Sequence, residues 1–190
     1  MILGFLIPLA YLIGSISSAI IVCRIMRLPD PREQGSGNPG ATNVMRIGGK
    51  KAAAITLVGD LFKGFLPVFI AQVIGSPSIL IAMTGLAAFA GHLYPIFFGF
   101  KGGKGVATLA GILLGFSPLL GAAFMLTWTA IYKIGKISSF AALTTAILAP
   151  VYAWFLTEDI ALVIPILIMT SVLLWRHKDN IRRLIAKEER

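Results

Sequence analysis

Charged side chains are scarce in this sequence, and acidic ones are the scarcest. Only 13% of the 190 residues are charged and 57% are hydrophobic, with a mean hydropathy of +0.86, whereas a soluble domain is about a quarter charged. The composition therefore indicates a membrane protein. Eight Asp and Glu residues stand against seventeen Lys and Arg, a net charge of +9. Such an excess can indicate nucleic-acid binding, but that requires a basic face on a soluble fold, so we expect no nucleic-acid partner.

Cysteine and the common catalytic motifs are also missing. Cys23 is the only cysteine, which excludes an internal disulfide and a cysteine cluster for zinc. The sequence has no G-x-S-x-G motif of a serine hydrolase and no group of residues at metal-ligand spacing. We therefore expect neither a metal nor a cofactor.

The apolar residues are gathered into runs that are long enough to cross a bilayer, which takes about 20 residues. The N-terminus has no basic segment ahead of its apolar run, so we expect that run to stay as a membrane helix and not to be cleaved as a signal peptide. The clear candidate spans are residues 2–23, 52–74, 78–98, 137–156 and 160–175.

The apolar stretch 105–132 decides the topology. Sixteen of the seventeen Lys and Arg residues lie in four basic segments, and cytoplasmic loops are enriched in these residues. All four segments face the same side only if 105–132 enters the membrane and returns, with a turn where Gly115, Pro118 and Gly121 interrupt the helix. The basic segments are 24–51, 101–104, 133–136 and 176–190.

We predict an all-α polytopic integral membrane protein, with a single domain over residues 1–190. It would cross the membrane about seven times, with the N-terminus outside and the C-terminus in the cytoplasm. Some crossings would be short, which membranes tolerate only when the helix packs inside protein. Five crossings plus a re-entrant hairpin is the alternative. Either topology puts the polar, glycine-rich segments on the cytoplasmic face.

The first of these segments, GSGNPGATNVMR at 35–46, has the composition of an anion-binding loop. Its glycines match G-x-G-x-x-G, but a dinucleotide site requires a preceding strand, and here a membrane helix precedes. Glycines do let backbone N–H groups approach an oxyanion, and the segment adds hydroxyl and amide donors and an arginine. A flexible loop is the alternative. The candidate phosphate-binding residues are Ser36, Gly37, Asn38, Gly40, Thr42, Asn43 and Arg46.

The second segment, GHLYPIFFGFKGGKGVAT at 91–108, is also suited to phosphate. It is not a Walker A loop, because Phe98 stands where that motif has its first glycine. Its glycines nevertheless expose the backbone, and a lysine among them adds a compact charge. A helix beginning near Val106 would direct its positive end at the same place. The candidate residues are Gly102, Gly103, Lys104 and Gly105.

The third segment, RHKDNIRRL at 176–184, follows the last apolar run. His177 and Asn180 are three residues apart and share one face of a continuing helix, with Arg183 three residues further on. A basic membrane-anchoring tail would explain the arginines but not the histidine and asparagine.

Five other polar residues are expected to be structural. His92 is predicted to pack between helices with one hydrogen bond. Asp60 and Lys63 lie inside an apolar run, where a charge costs around 2.5–3.5 kcal/mol, so such residues are functional candidates by default. We expect the two to neutralise each other at i,i+3, with closeness to the site as the alternative. Ser138 and Ser139 are expected to cap a helix.

Together the three segments resemble the motifs of the bacterial acyl-phosphate:glycerol-3-phosphate acyltransferases of the PlsY type, in the same order and spacing. The resemblance implies an enzyme of the bacterial cytoplasmic (inner) membrane, with its active site on the cytoplasmic side. It would transfer a fatty acyl group from acyl phosphate to glycerol 3-phosphate, an early step of phospholipid synthesis. The products would be lysophosphatidic acid and inorganic phosphate. Acyl-CoA and acyl carrier protein would not be used directly, and a monomer is expected.

The resemblance also assigns roles to residues. It ties the second segment to glycerol 3-phosphate, and the tail glutamate of the family falls on Glu188 or Glu189. The residues implied to be catalytic are Ser36, Arg46, Lys104, His177 and Asn180.

The implied reaction needs no covalent nucleophile, because acyl phosphate is already an activated donor. Alignment and charge stabilisation suffice: Lys104 and Arg46 would hold phosphate, and Asn180 would orient a hydroxyl or the oxyanion. The base is left open between His177 and the leaving phosphate. A transporter of an organic phosphate is the rival hypothesis, but transporters often show repeats and sites at the membrane midplane, whereas these segments lie on one face.

Overall fold

The computed structural model describes residues 2–189, and it confirms the prediction of an all-helical fold, since these residues form helices and no strand. A 3₁₀ turn at Ile2–Phe5 precedes the first α-helix, and another at Ile96–Phe98 follows the fourth. The α-helices of this part of the chain are α1 (Leu6–Gly14), α2 (Ser18–Ile25), α3 (Ala41–Val73), α4 (Ser78–Leu93), α5 (Val106–Phe116), α6 (Pro118–Gly135), α7 (Ser138–Thr157), α8 (Ile160–Arg176) and α9 (Lys178–Ile185).

Three helical segments are long and apolar enough to cross a membrane: α3, α7, and α4 together with its 3₁₀ turn, Ser78–Phe98. The count rises to five if each bent pair is one span, namely α1 with α2 at 42° and α8 with α9 at 60°. The number of crossings and the sides on which the termini lie stay predictions.

The first candidate span, residues 2–23, is not one straight helix but the bent pair α1 and α2. The carbonyl of Tyr11 accepts both the backbone N–H of Ser15, at 2.9 Å, and its hydroxyl, at 2.8 Å, and such an added side-chain bond often bends a helix. The chain leaves the helix after α1 and resumes it in α2. The carbonyl of Ile16, which lies in this break, accepts a hydrogen bond from Lys63 Nζ at 2.8 Å.

Helix α3 begins eleven residues earlier than the predicted start at residue 52. The helix is kinked at Gly49, whose φ of 74° lies in the left-handed region that favours glycine. The second half of the first polar segment is therefore the first turns of α3, and only residues 35–40 form a loop.

The stretch 105–132 forms two helices that pack against each other, as its glycines and proline predicted. Ser117 is extended between α5 and α6 (φ −157°, ψ 130°), and proline suits the first turn of the second helix. Helix α5 has only 11 residues, but it packs closely on α3. A Cβ on Gly111 would lie 1.9 Å from the carbonyl oxygen of Leu61, so only glycine allows the two backbones this approach.

The three polar segments meet at one end of the helix bundle. Arg176, at the end of α8, donates to the carbonyl of Gly102 at 3.1 Å, and Thr42 of α3 lies 3.1 Å from Ser138 at the start of α7, measured between hydroxyl oxygens. This end of the bundle holds the candidate site.

Candidate active site

A cavity of about 760 Å³ opens at the polar end of the bundle. One end of its wall is polar and the other is apolar. Helices α3, α5, α6 and α7 supply the apolar part. The residues of the wall that the sequence singled out are Ser36, Asn38, Gly40, Thr42, Asn43, Arg46, Asp60, His92, Lys104, Gly105, Ser138, Ser139, His177, Asn180, Arg183, Glu188 and Glu189.

Asn43 stabilises the first loop, which is residues 26–40 between α2 and α3, from within. Its side-chain amide donates to the carbonyls of Pro31 at 2.8 Å and Gln34 at 2.9 Å, and its Oδ1 accepts from the backbone N–H of Ser36 at 2.9 Å. Both amide hydrogens are therefore used inside the protein, whereas the sequence had suggested Asn43 as a donor to phosphate. Its contribution to the cavity is the position of the loop.

Arg32 ties the first loop to the second segment. Its guanidinium donates to the carbonyl of Phe98 at 3.2 Å and pairs with Asp30 at 2.6 Å. The hydrogen bond from Arg32 holds the pKa of the Asp30 carboxyl below its usual value, so the pair stays charged near neutral pH.

The second loop is residues 99–105, between the 3₁₀ turn and α5, and its backbone is held by the protein on both sides. Gly102 N–H donates to the Leu93 carbonyl at 3.2 Å, and Gly103 N–H donates to the His92 carbonyl at 3.3 Å. Arg176 Nη2 donates to the carbonyls of both glycines at 3.1 Å. These two amides are thus engaged within the protein, and neither glycine lines the large cavity; that they bind phosphate stays a prediction. The glycines are required because a Cβ on Gly102 would lie 2.0 Å from the His92 carbonyl oxygen.

Lys104 and Gly105 are the part of this loop that reaches the large cavity. Gly105, with a φ of 90°, immediately precedes α5, so the predicted helix start at Val106 is confirmed. Lys104 Nζ donates a short hydrogen bond to Asn180 Oδ1. Burial, together with the positive charge of Arg183, lowers the pKa of Lys104 from its usual value.

His177 and Asn180 lie at the turn from α8 into α9 and both face the cavity. Both are buried, with exposed fractions of 4% and 8%. His177 Nδ1 lies 2.8 Å from the carbonyl oxygen of Leu173. Because a carbonyl can only accept, Nδ1 carries the proton in this bond, and Nε2 is left as the acceptor of the neutral ring.

Both tail glutamates that the sequence left as alternatives, Glu188 and Glu189, line the cavity, and the hydrogen bonds to the site are made by Glu189. Its carboxylate accepts from Asn180 Nδ2 and from Arg183 Nε. Burial raises the pKa of Glu189, but the hydrogen bonds from Arg183 and Asn180 outweigh it and hold that pKa below its usual value. Asn180 is therefore fixed between a cation, Lys104, and an anion.

The two serines of α7 do not cap their helix, so that prediction was wrong. The N-cap position is occupied by Ile137, and no side chain makes a capping bond there. Ser138 instead faces Thr42 across the cavity mouth, and Ser139 is buried in the wall. Both serines lie in the first turn of α7, because the N-cap position falls one residue earlier in the chain, at Ile137.

The predicted ion pair inside α3 is present, with 2.8 Å between Lys63 Nζ and Asp60 Oδ1. His92 differs from its prediction, because its Nδ1 is buried without a hydrogen-bond partner and lies 3.8 Å from Asp60 Oδ1. Asp60 and His92 both line the cavity. For Asp60 this is the alternative, closeness to the site, that its charge at bilayer depth had offered.

The apolar wall was not predicted, because its residue types are the same as those that face lipid. It lies next to the polar wall in one continuous cavity. Its members are Leu57, Leu61, Val106, Ala107, Ala110, Phe124, Met125, Trp128 and Ala142.

A smaller cleft of about 230 Å³ lies beside the large cavity. Ser36, Asn38 and Lys104 line both spaces, so they form the partition between them. Gly37 and Gly102, which the sequence singled out, line the smaller cleft only. Among residues 2–189 no group of three or more His, Cys, Asp or Glu side chains could hold a metal ion.

Known proteins are similar in sequence to this chain over most of its length. Residues 4–187 match the family described as glycerol-3-phosphate acyltransferase. A glycerol-3-phosphate acyltransferase of Methylococcus capsulatus is 54% identical over 184 residues, which cover 97% of this chain and 93% of that protein. The protein of the same name from Hydrogenovibrio crunogenus is 55% identical over 181 residues, covering 95% and 87%.

Two solved structures are similar to this one over 95% of their length. The crystal structure of PlsY, an integral membrane glycerol 3-phosphate acyltransferase, in its glycerol 3-phosphate form has a TM-score of 0.95 and 36% identity, covering 100% of this chain and 95% of that one. The lysophosphatidic acid form has a TM-score of 0.93 and 35% identity, with the same coverage.

Proposed function

Because this chain belongs to the glycerol-3-phosphate acyltransferase family of integral membrane proteins, we propose that it transfers a fatty acyl group from acyl phosphate to glycerol 3-phosphate. The products are lysophosphatidic acid and inorganic phosphate. The observation that carries the proposal is the single cavity with a polar and an apolar end. An acyl phosphate has the same two-part character. The forms in which the similar PlsY structures are described support the acceptor and the product.

The enzyme acts at the cytoplasmic face of the bacterial inner membrane, as a monomer in a single domain. The support for this orientation is that the basic segments lie at the end of the bundle that holds the cavity, and cytoplasmic loops are enriched in Lys and Arg. A water-soluble acceptor reaches the polar end from this side, while a fatty chain enters the apolar end from the bilayer.

Lys104 is placed to contact both substrate phosphates. It lies in the partition between the large cavity and the smaller cleft, and its loop is the one that the resemblance ties to glycerol 3-phosphate. Ser36 stands in the same partition, and Arg46 lines the large cavity. We assign the charge of Lys104 and Arg46 and the hydroxyl of Ser36 to phosphate binding, with support from Asn38 and Thr42.

The chemical step is a direct displacement on the acyl carbon. The primary hydroxyl oxygen of glycerol 3-phosphate forms a bond to that carbon, and the bond from the carbon to the phosphate oxygen breaks. The hydroxyl proton goes to an oxygen of the leaving phosphate, so no side chain has to accept it. His177 is then a binding residue, and Asn180 orients the hydroxyl or the oxyanion through its amide.

Positioning accounts for most of the required acceleration. Alignment of two bound reactants is worth about 7–11 kcal/mol of the barrier, and the loss of one oxyanion donor costs about 2.7–4 kcal/mol in a well-studied hydrolase. Asn180 is suited to such a role, because Lys104 and Glu189 hold its amide from opposite ends.

The test is the release of inorganic phosphate from acyl phosphate by purified protein in detergent, with and without glycerol 3-phosphate. Lys104→Ala is compared with Lys101→Ala, a matched control because Lys101 is exposed and lines neither space. We expect acceptor-dependent release from the wild type and Lys101→Ala and its loss in Lys104→Ala. No acceptor-dependent release from folded wild type would contradict the proposal and favour a transporter, which flux into proteoliposomes would then reveal.

A further inference from the structure

Three ionisable side chains are buried in the bundle and have no part in the reaction described above. Asp60, Lys63 and His92 have exposed side-chain fractions of 4%, 6% and 6%. The Asp60–Lys63 pair neutralises its own charge, but a buried ion pair is often no more stabilising than apolar side chains of the same size. Stability alone therefore does not account for the cluster.

The His92 ring lies directly under the second loop. A Cβ on Gly103 would lie 2.4 Å from His92 Nε2 and 3.1 Å from the carbonyl oxygen of Pro39. Gly103 is thus the point where the first loop, the second loop and the His92 ring are all in contact. The next residue in the chain is Lys104.

The other side of the ring faces the ion pair. His92 Nδ1 lies 3.8 Å from Asp60 Oδ1, and Lys63 contacts both Asp60 and the Ile16 carbonyl at 2.8 Å. A continuous set of contacts therefore runs from the break between α1 and α2, through α3, to the base of the second loop.

We propose that His92 is a positioning residue: its ring packs against Gly103 and thereby determines the position of Lys104 in the cavity. The Asp60–Lys63 pair lies beside the ring, 3.8 Å from its Nδ1, and Arg176 holds the carbonyls of the loop from the other side. We assign the action of His92 to the loop, because its nitrogens face Asp60 and Gly103. The inference rests on the proposed function, since its readout is the Michaelis constant for glycerol 3-phosphate.

The test is a double-mutant cycle between Gly103→Ala and His92→Ala. Gly103→Ala alone should raise the KM for glycerol 3-phosphate by about 10- to 100-fold, since a displacement of 1 Å can cost that much. In the His92→Ala background the same change should cost less than about threefold, because the ring that the new Cβ would strike is gone. The KM for acyl phosphate should change less than that for glycerol 3-phosphate in all three variants.

Gly102→Ala is the matched control. Its Cβ would strike the backbone carbonyls of His92 and Leu93, which His92→Ala retains. The cost of Gly102→Ala should therefore be the same in both backgrounds. Relief of Gly102→Ala as well would show general loosening of the loop and would overturn the assignment to the ring.

Asp60→Asn tests the lower half of the cluster. We expect a raised KM for glycerol 3-phosphate with kcat within about threefold of wild type, because the charge beside the ring is removed but no reacting group is changed. Equal costs of Gly103→Ala with and without His92 would overturn the positioning role.

Failure of the proposed function appears differently, as a wild type without acceptor-dependent activity. The unfolding temperatures of the same four proteins in detergent then test the contact. The loss caused by Gly103→Ala should be smaller in the His92→Ala background, and an equal loss would overturn the inference.

Discussion

At the scale of single residues, Lys104 combines a half-buried charge with a fixed hydrogen-bond partner. Its ammonium group donates to Asn180 in the wall of the cavity. Burial keeps its pKa below the usual value, so the charge that binds phosphate is lost at a lower pH than for an exposed lysine.

This pKa direction leads to a pH prediction. Deprotonation of Lys104 removes positive charge, so the KM for glycerol 3-phosphate should rise on the alkaline side, and the rise should begin below the usual lysine pKa of about 10.4. Lys104→Arg keeps its charge in that range, and its KM should be flat where that of the wild type rises. The KM measured across the pH range for both proteins checks this, and identical alkaline limbs would contradict it.

His177 gives a second prediction at this scale. His177→Asn keeps a donor for the Leu173 carbonyl, which Nδ1 supplies in the wild type, but removes the nitrogen that could act as a base. If the leaving phosphate takes the proton, kcat should stay within about tenfold of wild type. A general base contributes about 10²–10⁴-fold, so a loss of that size with unchanged KM values would assign the base to His177.

The sequence was informative about residues that carry charge or a distinctive pattern. The three segments and the face shared by His177 and Asn180 were predicted, and the structure brings them to one cavity. The sequence did not predict that Asn43, Gly102 and Gly103 make hydrogen bonds to backbone groups of the protein. A donor to phosphate and a donor that stabilises a loop have the same residue type. Only the three-dimensional contacts separate the two roles.

At the scale of elements, the first loop depends on one side chain at the start of α3. Asn43 satisfies three backbone groups of the segment 31–36. We expect Asn43→Leu to lower the free energy of unfolding by about 1–3 kcal/mol, since buried groups lose their partners, and to raise the KM for both substrates. Unfolding in detergent with kinetics on the folded fraction measures this. An unchanged stability would show that the loop holds its shape without Asn43.

The pair α5 and α6 shows what element-level patterns can establish. Glycine and proline at 115–121 and the distribution of basic residues were enough to predict two helices. The break between α1 and α2 had no comparable signal, because it follows from Ser15 bonding within the helix and from Lys63 reaching the freed carbonyl. Hydropathy does not predict the early start of α3, because its first turns are polar and lie outside the apolar run.

At the scale of the whole molecule, the cavity joins a polar end to an apolar end. Along α6 the apolar part of its lining runs from Phe124 to Trp128, which is about 6 Å at 1.5 Å per residue. One leaflet of hydrocarbon is about 15 Å thick. Only the first part of a long acyl chain would therefore lie inside the protein, and the rest would lie in lipid.

Substitutions in the apolar wall should change the KM for acyl phosphate and leave the KM for glycerol 3-phosphate nearly unchanged. Ala110 is buried in that wall, and Ala110→Phe should raise the KM for acyl phosphate about tenfold by filling the space for the chain, with little change in the KM for glycerol 3-phosphate. Leu126→Phe is the control, since Leu126 is 69% exposed on the outer face of α6. Equal changes in both KM values for Ala110→Phe would show that the apolar end does not hold the acyl chain.

The most direct test of the central claim is the identity of the acyl donor. Purified wild-type protein in detergent is given glycerol 3-phosphate with one of three acyl donors: acyl phosphate, acyl-CoA or acylated acyl carrier protein. Lysophosphatidic acid and inorganic phosphate are both quantified. We expect one lysophosphatidic acid for each inorganic phosphate from acyl phosphate, and no product from the two thioesters. Product formation from a thioester at a similar rate, or phosphate release without lysophosphatidic acid, would contradict the proposed reaction.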